Sequence, residues 1–270
     1  MNSSRSKHSL IISTVLGFIF YIGVSFIWSY ILEVYLGPIL INYTTTTYLS
    51  IYLAGQIFPL SALIWYILKF ENESVTKLIY NYKLNWSGFA KYLIIWTIGL
   101  SLLKLTEFLL QSSVFYTTFR AGSVWYFLVF VMFFPVQVFT EEFVFRGYLL
   151  QRLNSIFGSA QAIIGSALLF AAVHLLNPEV AKFGLILMFL NYFLLGIILG
   201  IVATKTKGLE ASTALHLANN LFFAIVVNYE GSVFPTPAIW TQTNYSPLGV
   251  LALSSATLAY FSFKRINQTK

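Results

Sequence analysis

Cysteine and aspartate are both missing from the 270 residues, and charge of either sign is scarce. Without cysteine there is no disulfide framework, no thiolate metal site and no Cys nucleophile. Without aspartate there is no aspartyl-dyad proteolysis, since all nine acids are Glu. Charged residues make up 9% of the chain, where a soluble domain carries about 25%. Against that scarcity, 58% of residues are apolar and the mean hydropathy is +0.77. Too little polar surface exists to cover a water-soluble particle, so lipid is the expected solvent. The net charge of +7 could suggest a nucleic-acid partner, but the basic residues stand singly at the ends of apolar segments. They read as topology signals, and no nucleic-acid interface is expected. His-Glu-x-x-His and Gly-x-Ser-Gly are also absent. No internal repeat, low-complexity tract or soluble domain interrupts the chain.

A membrane span needs roughly 20 apolar residues. Eight segments qualify, at about 9–35, 47–68, 88–111, 124–151, 159–177, 183–204, 209–228 and 246–263. The first follows a short polar start, but it is too long for the apolar core of a signal peptide and no small-residue cleavage site closes it. The expected fold class is therefore all-α: a polytopic transmembrane bundle of about eight spans, forming a single domain over 1–270. With the N-terminus inside, Arg5, Lys7, Lys69, Lys77, Lys83, Lys91, Arg146, Arg152, Lys205, Lys207, Lys264, Arg265 and Lys270 fall at the cytoplasmic face. Only Arg120 and Lys182 fall outside, and Lys104 lies within the third span. This bias predicts that both termini are cytoplasmic.

Ionisable residues at membrane depth cost about 2.5–3.5 kcal/mol each on insertion scales, so each needs a reason. Lys104 and Glu107 stand three apart on one helix face and can neutralise each other, a structural pair. Glu33 at an interface and His8 in the basic tail need no special role. Thr140-Glu141-Glu142-Phe143-Val144-Phe145-Arg146-Gly147 is different. Adjacent helical residues point about 100° apart. Arg146 can therefore pair with Glu142, four residues before it, while Glu141 faces elsewhere. A structural ion pair explains Glu142 and Arg146 but leaves Glu141 over, and a carboxylate in an apolar helix suits a general base.

His174 would ordinarily be a structural hydrogen-bonding residue, but its spacing argues for more. The midpoint between Glu141 and His174 falls beside Gly158, where Asn154-Ser155-Ile156-Phe157-Gly158-Ser159 breaks the apolar pattern. A helical hairpin turning there brings carboxylate and imidazole to the same depth. His216 and Asn220 stand four apart and share a face of the seventh segment. Together the set supplies O and N donors from three helices that could hold a divalent metal or position one water. One mismatch stands: counted from the cytoplasmic end, His216 is shallower than His174, unless the fifth span begins below the membrane surface.

In this order, Glu141-Glu142…Arg146, Phe170…His174 and His216…Asn220 resemble the motifs of the CPBP family. That family of intramembrane proteases includes the CAAX prenyl endopeptidases and the bacterial "Abi" group linked to bacteriocin self-immunity and peptide processing. The resemblance covers about 124–228. It implies peptide-bond hydrolysis in the membrane, with Glu141 activating a water assisted by His174. His216 and Asn220 would stabilise the oxyanion or complete a metal site, and Glu142, Arg146 and Phe170 would support them. Glu141, His174 and His216 are the tentative metal ligands. Zinc is the working expectation, and the residues equally allow a metal-free, glutamate-dependent mechanism. The expected partners are the lipid bilayer and a membrane-associated peptide or protein, in peptide maturation or bacteriocin self-immunity. Abundant Phe, Ile, Lys, Asn and Tyr suggest an AT-rich genome and a bacterial cell membrane. The competing reading is a catalytically silent scaffold that binds a sensor kinase or peptide. A transporter would call for an inverted repeat, and none is visible.

Overall fold

The computed structural model describes residues 6–37, 45–79 and 85–257. Arg5, Lys83, Lys264, Arg265, Lys270 and the end of the eighth segment lie outside them. Helices run over α1 (Lys7–Leu36), α2 (Thr46–Glu71), α3 (Trp86–Leu110), α4 (Ser123–Phe157), α5 (Ser159–His174), α6 (Glu179–Phe183), α7 (Leu185–Thr206), α8 (Glu210–Leu221) and α9 (Leu248–Thr257). The protein is a multi-pass, all-α membrane bundle. A helix is the form in which an apolar segment satisfies its own backbone polar groups in lipid. Each of the eight predicted segments is helical over most of its described part. Five (α1, α2, α3, α4 and α7) are long and apolar enough to cross a membrane. The other three differ: α5 and α9 are shorter apolar helices, and α8 is short and carries the polar motif residues.

Two helices of the bundle form the predicted hairpin. α4 and α5 are joined at Gly158, whose φ of +90° is open to glycine without the penalty a Cβ would bring. α4 is longer than its predicted span; its 35 residues would extend about 52 Å at 1.5 Å per residue, well beyond the roughly 30 Å hydrocarbon core. Its far end is locked by Arg152, which is buried between Glu71 and Glu73. There Tyr148 also donates its hydroxyl to Glu71.

α8 sits at the centre, packed against α3, α4 and α7. α5 and α7 approach closely because Gly196 faces Ala167; a Cβ on Gly196 would lie 3.0 Å from Cα and Cβ of Ala167. Small residues at such crossings let membrane helices pack backbone to backbone. Gly196→Leu should separate them at a cost of about 1–3 kcal/mol or more, read as a lowered Tm of the purified protein in detergent.

A small sheet caps one end of the bundle. β1 (Phe115–Tyr116) is antiparallel and β2 (Val227–Tyr229) parallel to the central β3 (Trp240–Gln242). The expected Lys104–Glu107 pair is present at 2.8 Å. Lys104 also donates to Gln242 at 3.1 Å, which ties α3 to the cap.

Candidate active site

Helix widening places the first motif. After Glu142, α4 opens over Phe143–Leu149, where the N–H of Leu150 bonds the carbonyl of Phe145 five residues back. Such π-turns often mark functional sites because they re-aim the side chains around them. The Phe145 carbonyl also accepts the buried Ser166 hydroxyl at 2.7 Å, which fixes α5 against this turn. The helix carrying His216 and Asn220 likewise widens directly after its motif, over Phe222–Val226.

The predicted pairing of Glu142 with Arg146 holds. Both are fully buried and lie 3.0 Å apart, and Arg146 donates a second bond to the Gly196 carbonyl at 3.2 Å. The same Glu142 oxygen accepts from Nδ1 of His216 at 2.9 Å, a link the sequence did not reveal. Phe170 fills the space between the charged groups. Its ring lies under the Arg146 guanidinium at 4.5 Å, against His174 at 4.2 Å and edge-on to His216 at 5.8 Å.

The two histidines meet at Glu141. Its Oε2 lies 3.6 Å from Nε2 of His174 and 3.8 Å from Nε2 of His216. Nδ1 of His174 faces the Phe170 carbonyl at 2.7 Å. A carbonyl only accepts, so that nitrogen carries a proton. Nδ1 of His216 faces the Glu142 carboxylate and by the same argument carries one too. Each ring therefore turns its Nε2 toward Glu141. The depth mismatch of the two histidines resolves through the start of α8. Leu209, just before α8, packs on Gly147, ten residues before α4 ends at Phe157. That offset is about 15 Å of helix, so α5 begins well below α8.

Glu141, His174, His216 and Asn220 all line one cavity of about 140 Å³. Among the described residues, no hydrogen bond joins Asn220 to the other three. A hydrogen-bond chain orients it instead: the Trp96 indole N–H donates to Oδ1 of Asn219, and Nδ2 of Asn219 donates to Oδ1 of Asn220, each at 3.4 Å. An indole only donates, so the chain has one direction and leaves the Asn220 NH₂ without an acceptor among the described residues. Gln137 was also missed, although its position four residues before Glu141 could have signalled it. It donates to Oε1 of Glu141 at 2.9 Å, which leaves Oε2 for the histidines.

The donor types, two imidazole nitrogens and a carboxylate oxygen, are those of zinc proteases. The spacing is wider than the roughly 3.3 Å that two ligands of one tetrahedral zinc would span at ordinary bond lengths. Among the described residues, no group of three or more His, Cys, Asp or Glu side chains is set to hold a metal ion. The residues as placed do not fit zinc.

Fold and site together define a multi-pass membrane protein with a buried glutamate–histidine centre. Residues 123–222 match the family of type II CAAX prenyl endopeptidases, Rce1-like, so the chain carries an Rce1-like domain at the motifs that bear the resemblance. An uncharacterized protein of Bacillus subtilis, YyaK, is 26% identical over 193 residues, which cover 68% of this chain. The chain spans 64% of the length of that relative. No solved structure matches it.

Proposed function

We propose that the protein is an intramembrane endopeptidase that hydrolyses a peptide bond in a membrane-associated peptide or protein. The observation that carries this reading is the convergence of two imidazole Nε2 atoms on Oε2 of Glu141 inside one cavity. Gaps of 3.6 and 3.8 Å are too long for direct hydrogen bonds and suit one bridging water. Glu141 takes a proton from that water as its oxygen attacks the peptide carbonyl, and His174 holds the water in line. Charge moves to the carbonyl oxygen, to which the Asn220 amide donates. The proton on Glu141 then passes to the leaving amine as the C–N bond breaks. Glu142, held by Arg146, fixes the His216 ring through its Nδ1.

In the orientation given by the charge bias, the lining residues Ser232, Val233 and Phe234 fall toward the outer face of a bacterial cell membrane, with both termini inside. Maturation of a secreted peptide or self-immunity against a bacteriocin fits that placement. The test is a mass-spectrometric comparison of membrane-held and released peptides from cells making wild type or Glu141→Gln at matched abundance. Fragments made only by wild type support the reading and identify the substrate. Matching peptide profiles with cellular function retained in Glu141→Gln overturn it.

A further inference from the structure

Glu71, Glu142 and Glu179 are buried carboxylates. Glu71 is paired with Arg152 and Glu142 with Arg146. Glu179, only 4% exposed, has no cationic side chain within salt-bridge distance among the described residues. Burying a carboxylate is costly unless a cation or several donors meet it. Here three donors hold it in place: the Tyr229 hydroxyl at 2.9 Å, the Val233 N–H at 3.0 Å and the Tyr192 hydroxyl at 3.2 Å. Burial, with Tyr245 and Glu179 beside it, raises the Tyr229 pKa well above its ordinary value, so its hydroxyl stays a donor.

The group opens onto the catalytic cavity. Glu179 lines it together with Glu141, and neither Lys nor Arg appears among the lining residues. The connection to the catalytic centre is short. The Tyr192 ring lies against His174 at 4.8 Å between centroids while its hydroxyl reaches Glu179. Tyr229 and Tyr245 stack at 3.9 Å and add aromatic wall beside the carboxylate. A second observation points the same way. Oε1 of Gln137 and Oε2 of Glu141, on residues that line this cavity, are buried without hydrogen-bond partners among the described residues, so unmet acceptors stand beside the one amide donor of Asn220. A cavity with surplus acceptors, an unpaired carboxylate and tyrosine rings is complementary to a cation.

From this cavity we infer that Glu179 forms a subsite for a basic side chain, Lys or Arg, of the peptide near its scissile bond. The inference rests on the peptidase reading and narrows its substrate class to peptides with a positive charge beside the cleaved bond. Tyr192, Tyr229 and the Val233 N–H hold the carboxylate ready. The incoming ammonium or guanidinium then completes the ion pair that the fold leaves open.

The test uses purified protein in liposomes and synthetic apolar peptides that differ only by Lys, Gln or Glu scanned through the central positions. Wild type should cut the best Lys peptide about tenfold faster than its Gln counterpart, the order expected for a charged hydrogen bond. In Glu179→Gln that ratio should fall to about one, and Glu179→Lys should favour the Glu peptides. Equal rates on Lys and Gln peptides in wild type overturn the subsite, and this comparison stands even if a variant fails to accumulate. A Lys preference kept by Glu179→Gln overturns it equally. Cleavage without charge preference leaves the peptidase intact. If wild type cuts no peptide that Glu141→Gln leaves whole, the peptidase and the subsite fall together.

Discussion

Glu141→Gln should lower the rate of peptide cleavage by about a thousandfold or more, within the range that a positioned general base contributes. The substitution keeps size and shape but removes the group that accepts the proton. Gln137 already donates to Oε1 at 2.9 Å, and an amide oxygen at that position can accept the same bond. Folding should therefore be almost untouched, with Tm within a few degrees of wild type. The diagnostic is the combination of a lost rate with unchanged accumulation and melting. If Glu141→Gln cleaves at a rate near that of wild type, Glu141 is not the base, however well the motif matches.

Arg146→Ala should act on the other axis, stability. Removing one partner of a buried ion pair typically costs about 3–5 kcal/mol, because the remaining charge is left buried and uncompensated. In this protein the loss extends further, since Arg146 also satisfies the Gly196 carbonyl and lies over Phe170. Glu142, without its cation, would still face His216 and disturb that ring as well. The expected result is a protein that accumulates poorly and melts far below wild type in detergent. Glu142→Gln/Arg146→Met removes both charges, so it should recover more of the Tm than either single change, though not the activity. A fully stable Arg146→Ala would show that this pair is not what holds α4, α7 and α8 together.

The contrast between these residues follows from what a sequence can encode locally. Pairing of Glu142 with Arg146 was legible from their four-residue spacing, and so was Lys104 with Glu107. The hairpin at Gly158 was legible because the spacing of Glu141 and His174 is symmetric about a break in the apolar pattern. Neighbours supplied by separate helices were not. Which face of α8 meets Glu142, and that the Gly196 carbonyl completes the Arg146 shell, depends on how helices cross. Periodicity in one segment does not report that. Lengths failed for a related reason. α4 runs past its apolar stretch because Arg152 pairs with buried Glu71 and partly buried Glu73, and Tyr148 with Glu71, so a polar end stays helical. Glu179 gave no signal at all, being a lone acid beside a proline in a connector until the fold turned it into the cavity.

The most direct test of a glutamate-activated water is cleavage of a single peptide by the purified protein in H₂¹⁸O, followed by mass spectrometry of the new C-terminus. Direct attack by water predicts one heavy oxygen in the product from the first turnover, no label on Glu141, and no product with Glu141→Gln. First-turnover product without label, with the heavy oxygen found on Glu141, would reveal an acyl-enzyme and contradict the account.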